Sequence, residues 1–299
     1  CLNIDFSAIT VVTVAGTNGK GSCVALLEGL LTTGGKRVGA YTSPHLHRYN
    51  ERIRISGVEV DDGMLCQAFE NIEKARGETS LTYFEFGTLA AMLVFQAAAV
   101  DVAVLEVGMG GRLDAVNVLD ADIAIITSID IDHTRWLGAT REAIGKEKAG
   151  IIRPGKPVIC LDPAPPASLL QVIADNQSVL YRIGQDFELR SQQSGICGWI
   201  ATRGGTVNRR YENLSLPRLS SEAAAGALQA CSLMGLQLNA EQVGKVFATT
   251  ALPGRFEQRT DPETGCLVIL DVAHNPAAAA RLARRLEVFR GSFEKSIKI

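Results

Sequence analysis

The sequence has no apolar stretch near the roughly 18 residues that a bilayer-spanning helix needs, and no basic segment followed by an apolar one at its start. A membrane span and a secretory signal are therefore not read from it, and a cytoplasmic location is expected. Its seven cysteines (Cys1, Cys23, Cys66, Cys160, Cys197, Cys231, Cys266) lie far apart, with no CxxC pair and no neighbouring histidine cluster. That scatter argues against a zinc site and a disulfide framework, and leaves buried free thiols as the expectation. Charge of one sign is lacking too. The net charge is -2 with both signs interspersed, which removes the bulk electrostatic basis for nucleic acid or an anionic membrane as partner. Any anion must be held locally. Internal repeats and low-complexity tracts are absent. The first residue is Cys1 rather than Met, from which a start inside a longer reading frame is expected.

What is present is an apolar fraction of 46%, enough for a buried core, in a strand-helix alternation. ITVVTVA (9–15) is a β-branched run, and Val24, Leu27, Leu30 and Leu31 after it recur at helical spacing up to Gly34-Gly35. KRVGAYTS, DVAVLEVG, ADIAIITSI and KPVICL read as further strands, and residues 62–76 and FEFGTLAAMLVFQAAA as helices. Continuous apolar strands alternating with helices predict an α/β fold, a parallel sheet with helices on both faces. Residues 178–216, punctuated by Gly195, Gly198, Gly204 and Gly205, predict a small antiparallel layer, followed by helices at 221–235 and 240–249. ALPGRFEQRTDPETG reads as a linker, and CLVILDVA with AAAARLARRLEVF as the start of a second, Rossmann-like α/β domain cut off by the chain end. The expected division is 1–252, a linker at 253–265, and 266–299.

TVAGTNGKGS (13–22) does not fit the strict phosphate-loop pattern, since Val14 stands where the first glycine belongs and Gly21 follows Lys20. Even so, Gly16, Gly19 and Gly21 let the backbone present N–H groups to a phosphate at a helix N-terminus. Lys20 can reach terminal phosphates, and the Thr17 and Ser22 hydroxyls a phosphate oxygen or a magnesium ion. A plain glycine-rich strand-to-helix turn is the bland alternative. Glu106 ends an otherwise apolar strand, where α/β sheets collect ligands, so it suits a hard cation or merely caps the next turn. His133, in IDIDHT at the end of the next apolar run, is a ligand or a satisfied loop histidine.

Taken with YTSPHLHRYNERI, LTYFEFGTLAA, LEVGMGGRLDAVN, DHTRWLG, IGKEKAGIIRPGKPVI, LPGRFE and LDVAHNP, the loop resembles the folylpolyglutamate synthase and dihydrofolate synthase family, within the wider Mur-ligase group. The resemblance runs over nearly the whole chain in order and spacing. TSPHL, NERI and TYFEFGTL narrow it to the folate branch. It implies an ATP-dependent amide ligase, of acid-amino-acid ligase type, that forms an acyl phosphate on dihydropteroate or a reduced folate and lets L-glutamate displace it. It implies that residues 1–252 are the ATP-binding central domain and that 266–299 begin a glutamate-ligase domain. Thr17, Asn18, Gly19, Lys20, Gly21 and Ser22, with Arg255 and Asp271, would bind ATP. Ser43, Glu106 and His133 would hold magnesium, with a second ion on Lys148 once CO2 has carbamylated it. Lys20, Lys148 and His133 are the implied catalytic residues. Without the resemblance Lys148 reads as a solvated helix lysine.

The resemblance further implies that Thr82, Tyr83, Phe84, Glu85, Leu113, Asp114 and Ala115 line the pterin-bearing substrate, although a Tyr-Phe pair entering a helix also suits a core. His274 and Asn275 would help close the site, and a monomer is expected. There are departures. Arg135 stands where the family commonly has a carboxylate, which would weaken metal binding or alter glutamate handling. Glu222 or Ala223 stands where an asparagine usually contacts ATP. Two other readings are open: a different Mur-type ligase acting on a cell-wall nucleotide, and a nucleotide-binding relative that has lost activity.

Overall fold

The computed structural model describes residues 2–192, 195–201 and 207–294; Cys1, Gly204 and Gly205, named above, lie outside them. The chain divides into two compact units, Cys1–Thr250 and Ala251–Ile299.

The first unit runs β1 (Thr10–Ala15), α1 (Lys20–Thr33), β2 (Val38–Tyr41), β3 (Ile53–Ile55), β4 (Val58–Glu59), α2 (Asp62–Arg76), α3 (Tyr83–Ala97), β5 (Val102–Glu106), β6 (Ile123–Ile126), α4 (Thr134–Leu137), α5 (Arg141–Ala149), β7 (Val158–Cys160), α6 (Ala167–Asp175), β8 (Leu180–Arg182), β9 (Glu188–Gln192), β10 (Gly195–Ala201), β11 (Val207–Leu214), α7 (Ser221–Leu233) and α8 (Ala240–Thr249). Eight strands form one sheet in the order β4-β3-β2-β5-β1-β6-β7-β8. The six from β2 to β8 in that order are parallel, and β3 and β4 extend the β2 edge antiparallel. Every residue of β2, β5, β6 and β7 is buried, as strands covered on both faces must be. The core between sheet and helices is built from Val11, Tyr41, Phe95, Leu105, Ile126 and Ile144 among others.

The expected antiparallel layer is present as β11-β10-β9, packed on α7 and α8, and α1 packs against α7 and α8 as well. The first part of the segment assigned to that layer does something else: β8 pairs parallel with β7 in the main sheet. Sequence pattern cannot report this, because Leu180–Arg182 is too short for a period and its pairing is non-local. Of the thiols, Cys23, Cys160 and Cys231 are buried as expected, whereas Cys66 and Cys266 are exposed.

The second unit contains β12 (Glu257–Thr260), β13 (Leu267–Leu270) and α9 (Pro276–Glu294). The segment expected as a linker thus holds a strand, which pairs antiparallel with β13 from Glu257 opposite Leu270 to Thr260 opposite Leu267. Its polar residues hid it, since it is held by backbone pairing rather than by burial. Among the described residues no helix is long and apolar enough to cross a membrane.

Candidate functional site at the carboxyl edge of the sheet

The loops after β1, β5 and β6 leave neighbouring strands at the carboxyl edge, where parallel sheets bind ligands. After β1 the chain turns at Gly16, whose φ is 153°, and a β-carbon there would lie 1.7 Å from Thr127 Oγ1. Only glycine permits that approach. Gly19, left-handed at φ 88°, then starts α1 without any side-chain cap, so the first-turn N–H groups of the helix are not satisfied by its cap residue. The loop is latched to the segment after β6: Thr17 N–H donates to Ser128 O at 2.7 Å, Asn18 N–H to Ser128 Oγ at 3.1 Å, and Asp130 N–H to Thr17 Oγ1 at 3.0 Å. The Thr17 hydroxyl also donates to Asp130 O at 3.1 Å. Lys20 Nζ folds back on Gly16 O at 3.1 Å, and Ser22 is buried.

Glu106 closes β5 and is 5% exposed. Its Oε2 accepts the Ser43 N–H at 3.2 Å, so two of the residues expected on the metal are neighbours. His133 is left-handed at φ 48°, half-exposed, and immediately precedes α4, and its N–H donates to Asp132 Oδ1 at 2.7 Å. Lys148, in the last turn of α5, is only 3% exposed. Burial, reinforced by the Lys20 charge and opposed by Asp132, pulls its ammonium down from 10.5 to about 7. Its depth follows from two glycines. A β-carbon on Gly111 would sit 2.8 Å from Glu147 O, and one on Gly150 would sit 2.4 Å from Arg112 Cβ, so the loop after β5 rests directly on the end of α5. Arg112 N–H to Glu147 O, 2.9 Å, seals the contact.

Among the described residues no three His, Cys, Asp or Glu side chains cluster as a metal site. The candidate donors are of another mixture, and part of it fits: the buried Glu106 carboxylate and the partly buried Ser43 beside it carry hard oxygens, which suit magnesium. An ammonium at Lys148 does not fit. A neutral amine, favoured by the same burial, is the form that reacts with CO2 to give an anionic ligand.

The substrate-lining candidates divide. Thr82 and Glu85 form a capping box at the start of α3, Glu85 N–H to Thr82 Oγ1 at 3.2 Å and Thr82 N–H to Glu85 Oε2 at 2.7 Å, so both side chains are occupied locally. Asp114 does the same for its loop, accepting from Met109 N–H at 3.0 Å and Val116 N–H at 3.1 Å, and burial raises its pKa. Phe84 lies against Tyr41, centroids 5.8 Å apart, and over Gly108, two residues past Glu106. Tyr83 and Leu113 are exposed, and Ala115 is half-buried. Arg135 is exposed, its guanidinium 5.5 Å from the Trp136 ring centroid. Ala223 is buried and donates its N–H to the Ser220 cap of α7, while Glu222 lies in the first turn of that helix.

In the second unit, Asp271 follows β13 and accepts Phe256 N–H at 2.8 Å on one oxygen and Ala273 N–H at 2.9 Å on the other. Asn275 caps α9 through Ala278 N–H, 2.9 Å, and His274 Nδ1 lies 2.8 Å from Val272 O. Arg255 N–H closes a turn onto Leu252 O at 3.2 Å.

Sequence reading missed Asp162. Buried after β7, it accepts Ile129 N–H at 2.9 Å, Arg141 Nη2 at 2.8 Å and Ala164 N–H at 2.9 Å, and so anchors the segment that leads to His133. The only signal available was a carboxylate at the end of an apolar strand, the signal that singled out Glu106.

The first unit thus holds a glycine loop at a helix N-terminus, a buried carboxylate and a buried lysine, and residues 14–186 match the Mur ligase middle domain. The chain belongs to the Mur ligase family. Within it, the chain is 45% identical over 278 residues to the dihydrofolate synthase/folylpolyglutamate synthase of Escherichia coli, covering 93% of this chain and 64% of that one. It is also similar to E. coli FolC solved in complex with DHPP and ADP, at 43% identity and TM-score 0.86 over 94% of this chain and 66% of that one. A bifunctional folylpolyglutamate synthase/dihydrofolate synthase with Mn, AMPPNP and L-glutamate bound matches at 45% identity and TM-score 0.85, with coverage of 94% and 66%. The chain thus spans just under two thirds of the length of these relatives.

Proposed function

We propose that this chain supplies the ATP-binding, acyl-phosphate-forming part of a ligase that adds L-glutamate to dihydropteroate and to reduced folates. The observation that carries the reading is the convergence, beside an uncapped helix N-terminus with Lys20, of the buried Glu106 with its neighbour Ser43 and the buried Lys148, in a chain so similar to enzymes of that name. Residues 17–22 cradle the ATP phosphates through backbone N–H groups, and Lys20 neutralises the terminal ones. Glu106, Ser43 and His133 would hold a magnesium ion, and carbamylated Lys148 a second; bound there, the ions supply charge neutralisation between phosphates and carboxylate. An acceptor carboxylate oxygen forms a bond to the γ-phosphorus as the bond to ADP breaks. The glutamate amine then attacks the acyl carbon, phosphate leaves, and the amine proton is released. Phe84 and Tyr83 offer ring faces for a flat heterocycle. For Arg255 and Asp271 the reading assigns nucleotide contacts, supported by LPGRFE and LDVAHNP. A cytoplasmic monomer suits such an enzyme.

The test uses the full-length native protein. ADP is expected only when acceptor, L-glutamate and magnesium are all present, and K20A is expected to release none. ADP release at the same rate without glutamate would overturn the proposal.

A further inference from the structure

Arg52, at the end of a 3-10 turn (Tyr49–Arg52) that precedes β3, is 8% exposed. Its Nε–H donates to His45 Nδ1 at 2.8 Å. Its guanidinium carbon lies 5.5 Å from the Tyr49 ring centroid and 5.3 Å from that of Tyr83, and those two rings meet edge-on at 5.8 Å. Among the described residues no carboxylate lies within ion-pair distance of it. Arg54, two positions on and also shielded, contrasts: it pairs with Glu28 at 2.9 Å. A guanidinium cannot shed its proton and carries five N–H donors, so burying one without a counter-ion is costly unless an anion arrives. The place suits an anion. Thr42 N–H donates to Arg52 O at 2.8 Å, which sets Arg52 beside the strand end that leads into Ser43 and Glu106. Tyr83, one of the two rings against the cation, is 62% exposed at the start of α3 and open to a substrate.

We propose that Arg52 is a specificity-determining residue that binds a carboxylate of the acid acceptor other than the one being activated, an assignment that rests on the ligase reading above. The activated carboxylate loses its charge on phosphorylation, so a permanent cation fixed on it would hold the ground state more tightly than the transition state and slow the step. A second carboxylate on the same acceptor keeps its charge from binding to release. His45 and the two tyrosine faces hold the planar fork ready for bidentate contact, which an ammonium cannot reproduce. A folate carries such a second carboxylate on its glutamate, and dihydropteroate has none. The two acceptors therefore meet Arg52 differently.

The test compares R52Q and R52K with wild type in the full-length protein, using tetrahydrofolate, dihydropteroate and ATP. R52Q is expected to raise KM for tetrahydrofolate about tenfold or more, the scale of a lost charged hydrogen bond, with KM for dihydropteroate and ATP within about twofold. R52K, should R52Q fail to fold, is expected to show the same split at smaller size. Equal rises for both acceptors, or no rise for either, would overturn the assignment. Equilibrium binding of the two acceptors, read without turnover, separates the two failures: an enzyme that forms no product yet loses only tetrahydrofolate affinity in R52Q refutes the ligase reading and retains the carboxylate subsite.

Discussion

Replacing Lys148 with methionine is expected to stabilise the first unit, by an amount that shrinks as pH rises. Methionine keeps the unbranched stem and removes the charge. In the folded chain the amine titrates near 7, pulled down chiefly by burial and then by Lys20, whereas in the unfolded chain it titrates near 10.5. Between those values the unfolded state binds more protons, so wild-type stability rises with pH across that window. The penalty is fully present below pH 7 and gone above pH 10.5. At about 1.4 kcal/mol for each pH unit, burying the ammonium costs about 4 to 5 kcal/mol at low pH. The advantage of K148M is therefore expected to fall by about 2 to 3 kcal/mol from pH 6 to pH 9. Urea unfolding of both proteins at several pH values, in metal-free and CO2-free buffer, reads this directly. An advantage that stays constant, or grows with pH, would refute the argument that Lys148 is held in its neutral form by burial.

Three further outcomes follow from the same geometry. In G16A the new β-carbon would meet Thr127 Oγ1 at 1.7 Å, so the loop must shift at a cost of about 1 to 3 kcal/mol, and calorimetry should show loss of ATP-analogue binding; unchanged affinity would remove the loop from the site. D162N weakens the charge-assisted contact to Arg141 and the anchoring of Ile129, for a loss of about 1.5 to 3 kcal/mol in unfolding free energy together with weaker metal binding through His133. With 13C-labelled bicarbonate at pH 8, wild-type protein should give a carbamate signal by NMR that K148R lacks.

Much of the first unit is legible in the sequence. The helix at 62–76 is bounded by signals readable one residue at a time: Asp61 accepts Met64 N–H at 2.8 Å, and Gly77 follows at φ 55°. The β1-loop-α1 unit is equally plain, because a β-branched run, glycines and helical spacing meet there. What escapes is whatever depends on distant pairing. The strand Glu257–Thr260 exists only against β13, and nothing in a charged Pro/Gly-rich segment announces it. Lys148 sits in a polar helix, REAIGKEKA, and looks solvated until Gly111 and Gly150 are seen to let a loop settle over it. Thr82 and Glu85 show the opposite confusion. Their spacing is that of a capping box, and the structure occupies both side chains with capping.

On the proposed function, this sheet edge moves the γ-phosphate of ATP onto a carboxylate that then becomes an amide. An acceptor labelled with 18O in its carboxylate, turned over by the full-length protein with ATP, L-glutamate and magnesium, tests it most directly. The released phosphate is predicted to carry one labelled oxygen for each amide formed. Unlabelled phosphate alongside amide product would contradict it.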